Sequence, residues 1–293
     1  MAIVRKKVSG FDIFLVILML LLSFCFLYPL VNMLALSFSD GVILKASPVY
    51  LWPIGYSLDS YRALLRDNSI LRYYWNTIQY AGVGTAIMLM TTSLMAYPLS
   101  VRALRGRKLF NVILTITMFF GGGLIPYYVT IMRLGLINTF WVMVLPGAIS
   151  AYNVIVFKTF FMTIPESLKE SAFLDGAGHL VVLFRIVLPL SKAVLATFAL
   201  FSIVGYWNDY MTALLFLRDD TKFPIQLLLR RLLVVMDYTG HQTTRTELHE
   251  YSNISSRTTK AAATMLTVIP ILCVYPFLQK HFAQGVLVGS IKA

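Results

Sequence analysis

Six runs of about 20 or more predominantly apolar residues follow one another along this chain, and runs of that length leave very few folds open. They are Phe11–Leu36, Tyr74–Leu99, Leu109–Met132, Thr139–Phe161, Ala193–Leu217 and Thr259–Leu278. Each is long enough to cross the hydrocarbon layer of a membrane, where no water is present to satisfy backbone N–H and C=O groups. Only helices and closed barrels survive there, and these runs are too long and too continuous to be the alternating strands of a barrel. Charged residues make up 13% of the chain and hydrophobic residues 58%, with a mean hydropathy of +0.75, which is far from the soluble range. The expected fold is therefore an all-α integral membrane protein with six transmembrane helices. With no low-complexity linker or internal repeat, residues 1–293 read as a single transmembrane domain.

The net charge of +12 does not point to nucleic acid, because the basic residues are scattered and the aromatics lie inside apolar runs. It reflects loop topology instead. Raw counting of the 25 lysines and arginines barely separates the two faces, but the positive-inside rule applies to short segments beside span ends. Arg5, Lys6 and Lys7 before the first span, and the compact turn Arg102–Lys108, place both termini in the cytoplasm. The first apolar run is longer than a signal-peptide core and lacks a small-x-small cleavage site, so it reads as a retained span. Cys25 and Cys273 both fall within spans and read as packing residues, not as a disulfide framework.

The chain carries no Gly-x-x-x-x-Gly-Lys-[Ser/Thr] loop, and its four histidines show no metal-binding spacing. No active site, bound cofactor or metal is expected in it. Polar groups inside spans are costly and usually face a cavity or a neighbouring helix. The candidates for a pathway are Asn76 and Gln79 in the second span, Asn153 in the fourth, and Trp207, Asn208, Asp209 and Tyr210 in the fifth, with Asp209 foremost. Gly121-Gly122-Gly123 ahead of Pro126 fits either an unwound pathway helix or close helix packing, and packing is the favoured expectation. Between the fifth and sixth spans, Lys222–Asp237 reads as an amphipathic interfacial helix with Arg230 and Arg231 toward water. It is followed by a polar protruding stretch, Tyr238–Ser256.

A polar, glycine-punctuated island, Thr163–Lys192, separates the fourth and fifth spans. Thr163 and Glu166 have capping-box spacing and Pro165 suits a first turn, which predicts a helix to about Asp175. Gly176 and Gly178 should stop it, and a second short helix, His179–Val187, should end at Pro189. Phe184, Ile186 and Leu188 are the expected anchors to the bundle. A helix-turn-helix bracket of this kind suits either docking or a passive place at the membrane surface.

Glu170-Ser171-Ala172, three residues, Gly176, nine residues, and then Ile186-x-Leu188-Pro189 resemble the Glu-Ala-Ala loop of bacterial ATP-binding-cassette importer permeases, with Ser171 replacing the first alanine. Leu51-Trp52-Pro53, Tyr97-Pro98-Leu99-Ser100, Gly122-Gly123-Leu124-Ile125-Pro126, Leu145-Pro146-Gly147-Ala148-Ile149-Ser150 and Gly285–Lys292 extend the resemblance to the carbohydrate-uptake, maltose-type family. Within it the chain is most similar to the oligosaccharide and aldouronate subgroup, and there to the second membrane subunits of alginate importers.

The resemblance implies a type I importer permease of the bacterial cytoplasmic membrane, working with a second, different permease, two ATPase subunits that bind ATP and Mg, and an extracytoplasmic solute-binding protein. Glu170, Ser171, Ala172, Asp175, Gly176, Ala177 and Gly178 would form the cytoplasmic coupling helix gripped by the ATPase. Val288, Gly289, Ser290, Ile291 and Lys292 would reach the same partner. Tyr238, Thr239, Gly240, His241, Gln242 and Arg245 would meet the binding protein. The implied cargo is an oligosaccharide or polysaccharide, including uronate polymers such as alginate. An ion-coupled secondary transporter working without an ATPase is the competing reading; it would want paired intramembrane carboxylates, and Asp209 is nearly alone.

Overall fold

The computed structural model describes residues 10–41, 43–45, 47–66, 69–239 and 257–273. Among them the chain is overwhelmingly helical, with one isolated antiparallel bridge, Ser39–Tyr56. These residues fall into two compact units, those within 10–66 together with 231–239 and 257–269, and 69–230 with 270–273.

In the first unit, α1 (Gly10–Ser37) is a 28-residue helix that is apolar on every face and exposed along most of its length. Such a surface suits lipid or a neighbouring subunit. Its C-terminal end is tied down by polar contacts. Asn32 donates to the carbonyls of Val49 and Tyr50 (2.9 and 2.7 Å), and the Tyr61 hydroxyl of α2 (Asp59–Arg66) donates to Ser37 Oγ at 2.8 Å. Ser60 Oγ donates to Thr258 Oγ1 (2.9 Å), joining α2 to the helix at 257–273.

The second unit is built around α3 (Ser69–Ser100), which buries Tyr73, Thr77, Tyr80, Gly84, Met88 and Thr92 at helical spacing. This face packs against two later spans. A core of Val154, Phe157, Phe161, Leu183, Val187 and Phe198 fills the space beneath.

Two of the predicted spans are bent pairs of helices. Leu109–Met132 divides into α4 (Arg107–Phe119) and α5 (Leu124–Arg133), which meet at 114°. The expected role of the triple glycine in close packing is not what the structure shows. A Cβ on Gly121 or Gly123 would meet nothing within 4 Å, and Gly123 has φ +81° and ψ 172°, a backbone essentially restricted to glycine. The glycines break the helix.

Thr139–Phe161 divides into α6 (Phe140–Val144), a 3₁₀ turn Leu145–Gly147, and α7 (Ala151–Met162), with a 49° bend. The turn arises because Ala148 N–H bonds to Leu145 O, which leaves the Val144 carbonyl without its helical donor. Tyr206 Oη donates to that carbonyl at 3.0 Å, and the Thr91 hydroxyl donates to the Ala148 carbonyl. Side-chain hydroxyls thus restore what the break removes, the condition for irregular backbone at membrane depth.

Beyond the turn and loop 163–191 described below, α10 (Lys192–Asn208) begins the fifth predicted span, which stops at Asp209 and resumes as α11 (Met211–Phe216). Asp209 Oδ1 accepts from Thr212 N–H (3.0 Å) at the break. α12 (Ile225–Thr239) follows as expected and buries Ile225, Leu227 and Leu229. The helix at 257–273, α13, covers the first part of the sixth predicted span; the rest of Thr259–Leu278 lies outside the described residues.

One end of this unit is laced together by a single asparagine. Asn138 adopts φ +59°; its Oδ1 accepts from Arg218 N–H and Asp219 N–H, both at 3.1 Å, and its carbonyl accepts from Lys222 Nζ at 2.7 Å. Asp219 in turn accepts from Thr221 N–H and Oγ1, and these bonds hold its exposed carboxyl below the usual carboxylate range. An Asn138→Ala protein loses both acceptor bonds and keeps the left-handed backbone without the polar side chain that eases it there, so it should unfold with about 2–3 kcal/mol less stability. Asn138→Gly, which keeps the backbone geometry, should lose roughly half of that. Thermal unfolding of the purified variants decides it, and an alanine variant as stable as the parent would refute the assignment.

Candidate functional site

The turn between the fourth and fifth predicted spans forms the predicted bracket. Its first arm, α8, runs Glu166–Leu174. The expected capping box is absent: Thr163 Oγ1 donates instead to the Phe160 carbonyl (2.7 Å), finishing the helix before it, and no side chain caps α8. The preceding helix has orphan carbonyls of its own, and they captured the hydroxyl first. Lys169 acts in the same direction, donating to the Phe161 carbonyl at 3.1 Å. Burial lowers the Lys169 pKa, and the nearby Glu166 carboxylate opposes that shift.

α8 ends in a complete Schellman motif. Ala177 N–H bonds to Ala172 O (2.9 Å), Gly176 N–H bonds to Phe173 O (3.0 Å), and Gly176 sits at φ +80°. Both alanines pack against the core beneath the bracket. Glu170, Ser171, Asp175, Gly176 and Gly178 are exposed on the other side. Leu174 is 89% exposed at the tip and Leu180 63%, in a turn otherwise polar, which suits a partner groove far better than water.

The second arm, α9, runs His179–Leu190 and does not end at Pro189 as expected. Residues Leu183–Val187 form a π turn just ahead of the proline. Proline has no N–H for the Arg185 carbonyl and its ring crowds that carbonyl, and the wider turn accommodates both effects. The helix then breaks at Ser191, and α9 meets α10 at 81°. The anchors also differ from those expected: Val182, Leu183 and Val187 are buried, Ile186 and Leu188 are partly buried, and Phe184 is 43% exposed. His179 Nδ1 lies 3.4 Å from Tyr97 Oη on α3, and its ring packs edge-on against Phe173, centroids 4.9 Å apart. The bracket is thereby seated on the helix around which the unit is built.

The pathway candidates separate into two groups. Asn153, Asn208 and Asp209 line one cleft of about 610 Å³, together with Tyr152, Phe198 and Tyr206. Asn76 is elsewhere: its amide donates to the carbonyls of Thr221 and Phe223 (2.8 and 3.0 Å), pinning the loop before α12. Gln79 and Trp207 are not part of the cleft lining, and Trp207 is buried. Tyr210 carries the Arg230 guanidinium over its ring at 4.5 Å.

Tyr206 was not singled out in the sequence, and it is the best-held residue of the cleft. Its ring lies in a slot made by Gly84 and Gly147, where an added Cβ would come within 2.3 and 2.7 Å of it. Tyr238 and Thr239 end α12, whereas Gly240, His241, Gln242, Arg245 and the tail Val288, Gly289, Ser290, Ile291 and Lys292 lie outside the described residues.

Residues 83–288 match the family described as the binding-protein-dependent transport system inner membrane component. The chain belongs to this family. It is a permease, a transport component and not an ATPase. It is 40% identical over 282 residues to the polygalacturonan/rhamnogalacturonan transport system permease protein YtcP of Bacillus subtilis strain 168, covering 96% of the permease and 98% of that relative. Protein LplC of the same organism is 40% identical over 264 residues, 90% and 88% of the two chains. Among solved structures, the permease resembles a chain of a bacterial ABC transporter involved in import of the acidic polysaccharide alginate, with TM-score 0.85, 30% identity and coverage of 95% and 100%. The resemblance to saccharide-importer permeases read from the motifs is thereby established.

Proposed function

We propose that this permease is one of two different membrane subunits of an ATP-driven importer that brings an oligosaccharide or polysaccharide into the bacterial cytoplasm. The exposed bracket Glu166–Leu190, rigidly seated on α3 yet offering Glu170, Leu174 and Asp175 outward, is the observation that carries this reading. In it, Glu170–Gly178 is the coupling helix, lying on the cytoplasmic face in the cleft of a pair of ATPase subunits that hold ATP and Mg. Val288–Lys292 reach the same partner. Six spans, with both termini in the cytoplasm, leave α12 and residues 238–245 on the outer face to meet a solute-binding protein. The two bent spans supply the curved walls of a pathway, as broken helices do in transporters.

Saccharide transport is supported by YtcP and by the alginate importer, and also by relatives named for galacto- and arabino-oligosaccharides. These names span acidic and neutral sugars, so kinship indicates the class of cargo and leaves its charge open. In proteoliposomes holding the two permeases and the ATPases, a panel of oligosaccharides should raise ATP hydrolysis only when the solute-binding protein is present. Failure of every saccharide to do so, with the binding protein shown to be loaded, would overturn the reading.

A further inference from the structure

The cleft between α7 and α10 has a charge pattern that bears on which saccharides it can hold. Its walls are aromatic: Tyr152 and Phe201 are more than half exposed, and Phe198 and Tyr206 stand beside them. Pyranose rings present apolar C–H faces that pack on such surfaces, while their hydroxyls seek polar partners at the rim.

The polar groups left for a ligand are two amides, a hydroxyl and one carboxylate. Asn208 Nδ2 spends one N–H on the Val204 carbonyl (3.0 Å) and Asn153 Nδ2 one on Met88 Sδ (3.6 Å), so each amide offers Oδ1 and its second N–H. Tyr206 has given its proton to Val144 O, and Ser202 Oγ accepts from Thr85 while keeping a proton to donate. Asp209 spends Oδ1 on Thr212 N–H; Oδ2 has no hydrogen-bond partner among the described residues. Asp209 is also the one ionisable acid in the lining, which contains no lysine, arginine or histidine.

A sugar hydroxyl can donate to these oxygens. A uronate carboxylate can only accept, and it meets another carboxylate. We propose that this cleft is a subsite for an uncharged glycosyl ring, and that Asp209 is the residue that discriminates against uronates there. The proposal rests on the saccharide-importer reading and narrows it: whatever polymer is carried, the ring held by this subunit is neutral. At a separation of about 6 Å in a partly desolvated site, the repulsion between two carboxylates corresponds to roughly tenfold to hundredfold weaker binding.

The test is a calorimetric titration of the purified importer, without its binding protein, using a neutral hexose tetrasaccharide and a uronate tetrasaccharide of matched linkage. The parent should bind the neutral chain at least about tenfold more tightly. Asp209→Asn, which keeps a carbonyl oxygen to accept from Thr212, should bring the two affinities to within about threefold, whereas Asp209→Glu should keep the preference. Equal or tighter binding of the uronate by the parent overturns the proposal, as does a ratio that Asp209→Asn leaves unchanged. If neither sugar binds while the complete importer still takes up a saccharide on ATP hydrolysis, the subsite is wrong and the importer reading stands. If uptake of every saccharide is absent as well, both fall.

Discussion

Gly176→Ala should lower ATP-driven uptake by about tenfold or more, and Gly176→Val should lower it further, with the protein still inserted and folded. At φ +80° a Cβ costs about 1–2 kcal/mol, and a branched side chain costs more. The chain can escape that cost only by opening the Schellman motif. Doing so releases the bonds from Ala177 to Ala172 and from Gly176 to Phe173, and it swings α8 away from α9. Nothing in the spans is touched, so the loss should appear as ATP hydrolysis without transport. Gly178 provides the control two residues away: its φ is −77° and a Cβ there meets nothing within 4 Å, so Gly178→Ala should be nearly silent. Equal losses at both glycines would show that a partner's groove, and not this backbone, demands small residues.

The second large effect lies at the slot that holds Tyr206. A side chain at Gly84 would put its Cβ 2.3 Å from Tyr206 Cζ and 2.7 Å from the hydroxyl, and Gly147 closes the slot from the other side. Gly84→Leu must therefore expel the ring, which both overpacks the contact between α3 and α10 and strips the Val144 carbonyl of its donor. Overpacking typically costs about 1–3 kcal/mol and an unpaired buried carbonyl about 1–3 kcal/mol, so a loss of about 3–5 kcal/mol is expected. Gly82→Ala, with no atom within 4 Å, should be neutral or stabilise by up to about 1 kcal/mol. Because Gly84 and Tyr206 touch, the pair should be strongly non-additive: Tyr206→Phe, which has already lost the hydroxyl bond, should blunt the further cost of Gly84→Leu. Thermal unfolding in detergent measures both, and simple additivity would contradict the slot.

The helices themselves were legible in the sequence because burial in lipid demands long apolar runs, and no other chemistry produces them. The bracket was legible because a polar stretch and its glycines interrupt those runs. Where the reading failed, the deciding partner was far away along the chain. Nothing local to Pro146-Gly147 says that Tyr206, some sixty residues on, will satisfy the carbonyl its turn exposes. Asn76 has the look of a pathway group, yet its amide is taken by two carbonyls about 145 residues away. Thr163 had the right spacing to cap α8 and the wrong neighbour, since the helix before it also needed a donor. Pro189 normally ends a helix, and only the π turn ahead of it allowed α9 to continue. The cleft was half legible: Asn153, Asn208 and Asp209 were singled out, but the aromatic walls read as ordinary apolar span.

Sugar uptake into proteoliposomes containing this permease and its partner permease, with and without the ATPase subunits, tests the central claim most directly. With loaded binding protein outside and ATP inside, uptake should require the ATPase and should fall at least about tenfold in Glu170→Ala vesicles, in which ATP is still hydrolysed. Uptake that proceeds equally well without the ATPase, driven by an ion gradient alone, would contradict it.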